Sequence, residues 1–167
     1  SLGIDILSPD DLPNLPEVEE DGDTLEANAI KKALTLHQLT GLPTLADDTG
    51  LEVETLNGAP GVYSSRYDGP QATYASNCAK LLHEMSGIPA DRRQAQFRCV
   101  LAYIVEGQTR LFEGQIKGLI TTEPIGENGF GYDPVFNVPE LGKTMAQMTL
   151  EEKNHISHRG LALKAWI

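Results

Sequence analysis

The sequence predicts a single α/β domain over residues 1–167 whose β-sheet is mixed. A length of 167 residues suits one domain with a substantial core. Helical and strand-like patterns alternate along the whole chain, as is typical of α/β proteins. The two longest strand-like runs are joined only by Glu106-Gly107-Gln108, and a connection this short makes them antiparallel. A purely parallel sheet is therefore excluded.

The N-terminal part predicts a loop followed by a helix. Residues 1–7 resemble the tail of a helix, a turn and a strand, and the proline- and acid-rich residues 9–23 predict a loop. Asp23 or Thr24 can cap a helix over 24–39 that Gly41 ends. Its apolar residues recur at helical spacing, at Leu25, Ala29, Ala33 and Leu36.

Strands and turns dominate the remainder. Four segments have strand-like composition between turn residues: 42–46, 51–55, 94–106 and 109–122. Three segments predict turns or glycine-rich loops: the Asp47-Asp48 pair, 57–61 and 127–133. Two further helices are predicted over 72–85 and 158–166, the latter capped by Ser157. Thr149 and Glu152 form a capping box for a short helical turn.

The composition excludes some partners. The net charge of −11 and the pI of about 4.7 produce a field that repels DNA and RNA, so we expect no nucleic-acid partner. An acidic protein that binds a nucleoside triphosphate needs a metal ion and a local cluster of cations. No apolar run approaches the ~18 residues of a membrane span, and we find no signal-peptide pattern. We therefore expect a soluble cytoplasmic protein with no membrane partner. Cys78 and Cys99 lie in apolar settings and predict buried, reduced thiols.

The first candidate site is the acid pair Asp47 and Asp48, followed by Thr49. Proteins hold Mg²⁺ by one or two carboxylates while substrate phosphates complete its coordination. Neighbouring side chains on a strand point to opposite faces, so one acid can bind metal and activate water while the other braces the loop. Glu20 is the candidate for a further ligand. A solvated turn is the alternative for the pair.

The second candidate site is Gly129-Phe130-Gly131-Tyr132-Asp133-Pro134. Its glycines allow close backbone approach. Its aromatic rings can stack on a flat base, an interaction worth roughly 1–3 kcal/mol in single-strand nucleic-acid binders. A tight turn with Phe and Tyr in the core is the alternative.

The third candidate site is the cation-rich segment 151–160. Lys153, His158 and Arg159 supply positive charge within a short turn and the first turn of a helix. A helix N-terminus with added cations is an anion site. Arg159 can also donate in a fork to a carbonyl or ring nitrogen. The alternative is a solvated helix face.

Three segments together resemble, in order and spacing, the inosine/xanthosine triphosphate pyrophosphatases across nearly the whole chain: ADDTGLEVETLNGAPGVYSSRYDG, FGYDPVF and EEKNHISHRG. The resemblance implies an elongated fold of two lobes around a long mixed sheet, with the substrate in the cleft between them. It also implies a Mg²⁺-dependent homodimer. Such enzymes cleave dITP, ITP and XTP to the monophosphate and pyrophosphate, which keeps these non-standard purine nucleotides out of nucleic acids.

The resemblance also implies roles for individual residues. Asp48 resembles the proton acceptor and a Mg²⁺ ligand, and Asp47 resembles a supporting acid. Glu20 resembles the additional metal-linked carboxylate, with Glu19 as the alternative because the register there is loose. The other matched positions resemble substrate contacts: Thr49, Phe130, Gly131, Tyr132, Asp133, Lys153, His158 and Arg159.

One segment of that family has no counterpart in this sequence. The family opens with a strand and a phosphate-binding loop of the type T/S-x-N-x-x-K, and the last helix of this sequence stops early, at Ile167. We therefore expect the domain to be truncated at both ends. The missing loop keeps one alternative open, a nucleotide-binding module without turnover. A second alternative is a nucleotide phosphatase of other specificity, which would release orthophosphate.

Overall fold

The computed structural model describes residues 5–12 and 14–167 of the chain. Six strands form one sheet in the order β2-β1-β3-β4-β5-β6. The strands are β1 (Thr44–Val53), β2 (Pro60–Gly61), β3 (Gln94–Val105), β4 (Gln108–Ile120), β5 (Phe136–Val138) and β6 (Lys143–Thr144). The helices are α1 (Leu25–Thr40), α2 (Tyr74–Glu84), α3 (Leu150–Ile156) and α4 (His158–Trp166).

The N-terminal expectation is only partly covered by the structure. Residues 1–4, on which part of the predicted helix tail and turn falls, lie outside the described residues. Residues 5–7 have no regular secondary structure, so no strand forms there. In the described part of the chain, no helix is long and apolar enough to cross a membrane.

The sheet confirms the α/β class, but the strand directions differ from the expectation. All five strand pairs among the described residues are antiparallel, so the parallel pairing of a mixed sheet is not found in this part of the chain. The predicted hairpin between β3 and β4 is confirmed. Glu106 and Gly107 have φ of 51° and 74°, the left-handed pair that suits a two-residue hairpin turn.

The predicted turn at Asp47-Asp48 is wrong. β1 runs without interruption over 10 residues, and both acids pair with residues of β3. Gly50 is a strand residue here, not a turn residue. A Cβ at Gly50 would lie 2.6 Å from the carbonyl oxygen of Gly61, so glycine is needed for the close approach of β2.

The long strands carry the cores of two lobes. At one end of β3, alternate residues pack against α1 on one face and α4 on the other: Val100, Ala102 and Ile104 against α1, and Cys99 and Leu101 against α4. At its other end, Ala95 and Phe97 join a larger core with α2 and the chain after β4. This arrangement confirms the elongated two-lobed fold, and the acid pair lies on β1 where the lobes meet.

The predicted helix caps are confirmed at both ends of the chain. The hydroxyl of Thr24 accepts from the backbone N–H of Ala27 at the start of α1, and Gly41 ends that helix with φ of 69°. Thr149 and Glu152 form the capping box of α3, and Ser157 caps α4. These local signals fix where α3 and α4 place their cationic side chains. Both cysteines are free and buried, as predicted.

Candidate functional site

The two acids leave β1 on opposite faces of the sheet, as strand geometry predicts. Asp48 points towards α1, where Asn28 and Lys32 contact its carboxylate. Asp47 points towards α4, where Arg159 contacts it. The two carboxylates therefore have separate partners and cannot bind the same metal ion.

Asp48 is buried within a group of polar side chains that we call the carboxylate cluster: Glu20, Asn28, Lys32 and Asp48. The Lys32 ammonium donates to Asp48 Oδ1 at 3.0 Å and to Glu20 Oε1 at 2.6 Å. The Asn28 amide donates to Asp48 Oδ2 at 3.1 Å, and its oxygen accepts from the backbone N–H of Gly22 at 2.8 Å. The loop before α1 and the middle of β1 are therefore held together around two carboxylates.

Burial raises the pKa of Asp48 above its ordinary value, and it outweighs the hydrogen bonds from Lys32 and Asn28 that lower it. Burial acts to lower the pKa of Lys32, but the hydrogen bonds to Glu20 and Asp48 raise it above its ordinary value. At neutral pH the cluster therefore contains an ammonium beside a carboxylate of increased basicity. Increased basicity suits a group that takes a proton from water.

Sequence reasoning missed Asn28 and Lys32. A signal for Asn28 was present, because a polar residue lies among the buried apolar residues Leu25 and Ala29 on the inner face of α1. Lys32 is four positions further on, which places it on the same face of the helix. Glu19 is exposed while Glu20 contacts Lys32, which favours Glu20 over its alternative.

On the opposite face, Asp47 holds Arg159 at the start of α4. The Nε and one terminal nitrogen of the guanidinium donate to Asp47 Oδ2 at 3.1 and 2.8 Å. The Thr49 hydroxyl lies 3.5 Å from the same oxygen. Asp47 therefore fixes the orientation of the Arg159 guanidinium.

His158 does not carry the positive charge predicted for it. The ring is 5% exposed and stacks on Phe97, with ring centroids 4.9 Å apart and planes 15° apart. Burial, together with the neighbouring charges of Arg159 and Lys153, lowers the pKa of His158 to about 4. The imidazole is therefore neutral at pH 7. Its Nδ1 has no hydrogen-bond partner among the described residues.

The aromatic loop, residues 129–134, has a buried part and an exposed part. Tyr132 and Asp133 are buried, and the Tyr132 hydroxyl donates to the carbonyl oxygen of Ser64 at 2.7 Å. Phe130 is 49% exposed. The core alternative is thus correct for Tyr132, whereas the ring of Phe130 is accessible for stacking.

Lys153 connects this loop to α3. Its ammonium donates to the Asp133 carboxylate and lies 4.3 Å from the centroid of the Phe130 ring. Gly129, with φ of 82°, is required because a Cβ would collide with that carboxylate. A depression of about 270 Å³ opens between the loop and the start of α3. Tyr74, which sequence reasoning missed, is exposed with its ring centroid 6.5 Å from that of Phe130.

The donor set of the carboxylate cluster fits Mg²⁺. Within residues 5–12 and 14–167, no three His, Cys, Asp or Glu side chains form a metal site by themselves. Asp48 and Glu20 nevertheless direct one oxygen each at the same cation, the Lys32 ammonium. Two carboxylates completed by substrate phosphates are a usual donor set for Mg²⁺.

The fold and the site together define a two-lobed α/β protein with the carboxylate cluster where the lobes meet. The Ham1 family model matches residues 1–167, and the chain belongs to the Ham1 family.

Relatives and solved structures agree with this assignment. The chain is 52% identical over 163 residues to a dITP/XTP pyrophosphatase of Geobacter sulfurreducens, covering 97% of this chain and 82% of that protein. It is 52% identical over 166 residues to the dITP/XTP pyrophosphatase of Escherichia coli K12, covering 98% and 84%. A HAM1 protein from Coxiella burnetii has a TM-score of 0.85 at 46% identity, covering 89% of this chain and 77% of that one.

Proposed function

We propose that this chain is a nucleoside triphosphate pyrophosphatase that hydrolyses dITP, ITP and XTP to the monophosphate and pyrophosphate with Mg²⁺. The observation that carries the proposal is the carboxylate cluster, in which a buried Asp48 of raised pKa shares a cation with Glu20. The relatives named dITP/XTP pyrophosphatase, at 52% identity, support the class of reaction and substrate.

Asp48 acts as the general base of the reaction. It accepts the proton of the water whose attack breaks the anhydride bond between the α and β phosphates, with pyrophosphate as the leaving group. Asp48 and Glu20 would hold Mg²⁺, which when bound neutralises charge on the phosphate oxygens. Asn28 keeps the Asp48 carboxylate in place through its 3.1 Å hydrogen bond.

The purine base lies against the aromatic and cationic residues. Phe130 offers an accessible ring, and Asp133 holds Lys153 beside it. Arg159, held by Asp47, can donate to a 6-oxo group, whereas the 6-amino group of adenine is a donor and opposes it. A buried hydrogen-bonding site can reject the wrong group by ~10⁴ in favourable cases. Thr49 and Gly131 complete the proposed substrate contacts.

We further propose that the chain forms a homodimer, as its resemblance to the pyrophosphatases implies, and that it acts in the cytoplasm. Sedimentation velocity over a range of concentrations checks the assembly. A single species at the monomer mass would contradict it.

The reaction is tested by measuring pyrophosphate and orthophosphate release from dITP, XTP and dATP by the full gene product with Mg²⁺. We expect pyrophosphate from dITP and XTP, little turnover of dATP, and loss of activity when EDTA is added. Binding of XTP without hydrolysis would replace the enzyme by a nucleotide-binding module. Orthophosphate as the product would indicate a phosphatase of other specificity.

A further inference from the structure

Lys32 occupies the position at which the two candidate metal ligands converge. Its ammonium lies 2.6 Å from Glu20 Oε1 and 3.0 Å from Asp48 Oδ1. Its side chain is 21% exposed, and both carboxylates accept a hydrogen bond from the ammonium. The ammonium is therefore a cation with the same two carboxylate partners that a divalent ion would use.

We propose that Lys32 is an internal counter-ion of the carboxylate cluster that a divalent cation must displace before it binds Asp48 and Glu20. The inference rests on the proposed function, because it takes these two carboxylates as metal ligands. A divalent ion and an ammonium repel each other strongly at contact distance in a partly buried site. Both cannot share the same pair of oxygens, so Lys32 sets the metal concentration at which the site fills.

Groups other than Lys32 hold the carboxylate of Asp48 and the backbone that carries Glu20. Asn28 donates to the second oxygen of Asp48 and ties the adjacent loop through Gly22. The Arg66 guanidinium donates to the backbone carbonyl oxygen of Glu20 at 2.8 Å. Lys32 itself has a flexible four-carbon stem and can move without movement of α1. The cluster is thus built so that one cation can replace another.

The decisive comparison is between Lys32→Met and Lys31→Met. Lys31 precedes Lys32 on α1 but pairs with the exposed Asp21 at 2.6 Å. Both substitutions remove one positive charge from the same helix, so they change the long-range field almost equally. Only Lys32→Met removes the cation between the two carboxylates.

Isothermal titration of the nucleotide-free protein with Mg²⁺ measures the effect. We expect Lys32→Met to tighten Mg²⁺ binding about tenfold relative to wild type, equivalent to about 1.4 kcal/mol. We expect Lys31→Met to stay within about twofold of wild type. A damaged fold would weaken binding, so tighter binding cannot result from misfolding. Equal affinities in the two variants, or weaker binding by Lys32→Met, would overturn the inference.

A second measurement uses the unaltered protein. In protein labelled with ¹³C at the lysine ε carbons, Mg²⁺ should shift the Lys32 resonance in a saturable way and leave Lys31 unchanged. A stationary Lys32 resonance while Mg²⁺ binds would also overturn the inference. Neither result bears on the proposed function, since Mg²⁺-dependent release of pyrophosphate from dITP decides that separately. If neither wild type nor Lys32→Met binds Mg²⁺, the inference fails even where hydrolysis is observed.

Discussion

Replacing Asp48 by asparagine tests the proposed chemistry most directly. Positioned general bases contribute about 10²–10⁴ in rate, so kcat for dITP should fall by at least about a hundredfold. The Mg²⁺ concentration for half-maximal activity should rise as well, since a neutral carboxamide is a poorer ligand than a carboxylate. Steady-state pyrophosphate release at several Mg²⁺ concentrations measures both effects.

The contacts of Asp48 also limit how much this substitution can lower the stability of the fold. Its two oxygens accept from Lys32 at 3.0 Å and from Asn28 at 3.1 Å. A carboxamide has one accepting oxygen, so one of the two donors loses its partner, at a cost of about 1–3 kcal/mol. Removing a buried charge offsets part of this cost. Since 1 kcal/mol corresponds to roughly 2–4 °C at this chain length, Tm should fall by no more than about 10 °C.

The matched control is Asp21→Asn. Asp21 belongs to the same acidic loop as Glu20, but its carboxylate is exposed and pairs with Lys31. We expect this variant to retain the wild-type kcat, which separates a local charge effect from the role of Asp48. Turnover by Asp48→Asn within threefold of wild type, in a protein that binds dITP normally, would refute the assignment of Asp48 as the base.

Three further predictions concern the cation-rich segment 151–160. Arg159→Ala should raise KM for dITP and reduce the preference for dITP over dATP; an unchanged preference would show that the base lies elsewhere. Lys153→Met leaves the buried carboxylate of Asp133 without its cation and should lower the free energy of unfolding in urea by about 3–5 kcal/mol. The exposed pair lost in Lys143→Met should cost less than about 1 kcal/mol, and equal costs would contradict this account. The pKa of His158 is about 4 in the fold against an ordinary 6.5, so the unfolded chain binds more protons between these values. The stability that neutral His158 contributes is present above pH 6.5 and is lost as the pH falls to about 4, a loss of about 3 kcal/mol in the free energy of unfolding. The same measurement on His158→Gln should not show this loss.

Helices could be predicted closely because their signals are local. Thr24, Gly41 and Ser157 each act on backbone groups within four residues, and the sequence shows them directly. The turn at Asp47 and Asp48 could not be excluded in this way. Aspartate and glycine favour turns locally, but pairing with β3, more than 50 residues away, extends the strand through them.

The candidate site was predicted in its residue types but not in its charge balance. The sequence shows three basic residues near the end of the chain, yet Lys153 and Arg159 are each paired with an aspartate and His158 is neutral. The contact between Lys32 and Asp48 depends on how α1 crosses β1, and no pattern of either segment specifies that crossing. Spacing along the chain therefore identified the acids but not their cation.

The continuity of β1, β3 and β4 through both lobes restricts how a nucleotide can enter. A hinge between the two lobes would have to break the hydrogen-bond ladder that joins ten residues of β1 to β3. Admission of the substrate is then left to the surface segments around the cleft, such as the exposed residues 122–130. Amide hydrogen exchange should therefore be slowest in the three long strands and fastest in that segment, and nucleotide should slow exchange in the segment alone. We therefore expect a rigid sheet, with the motion that admits nucleotide confined to residues 122–130.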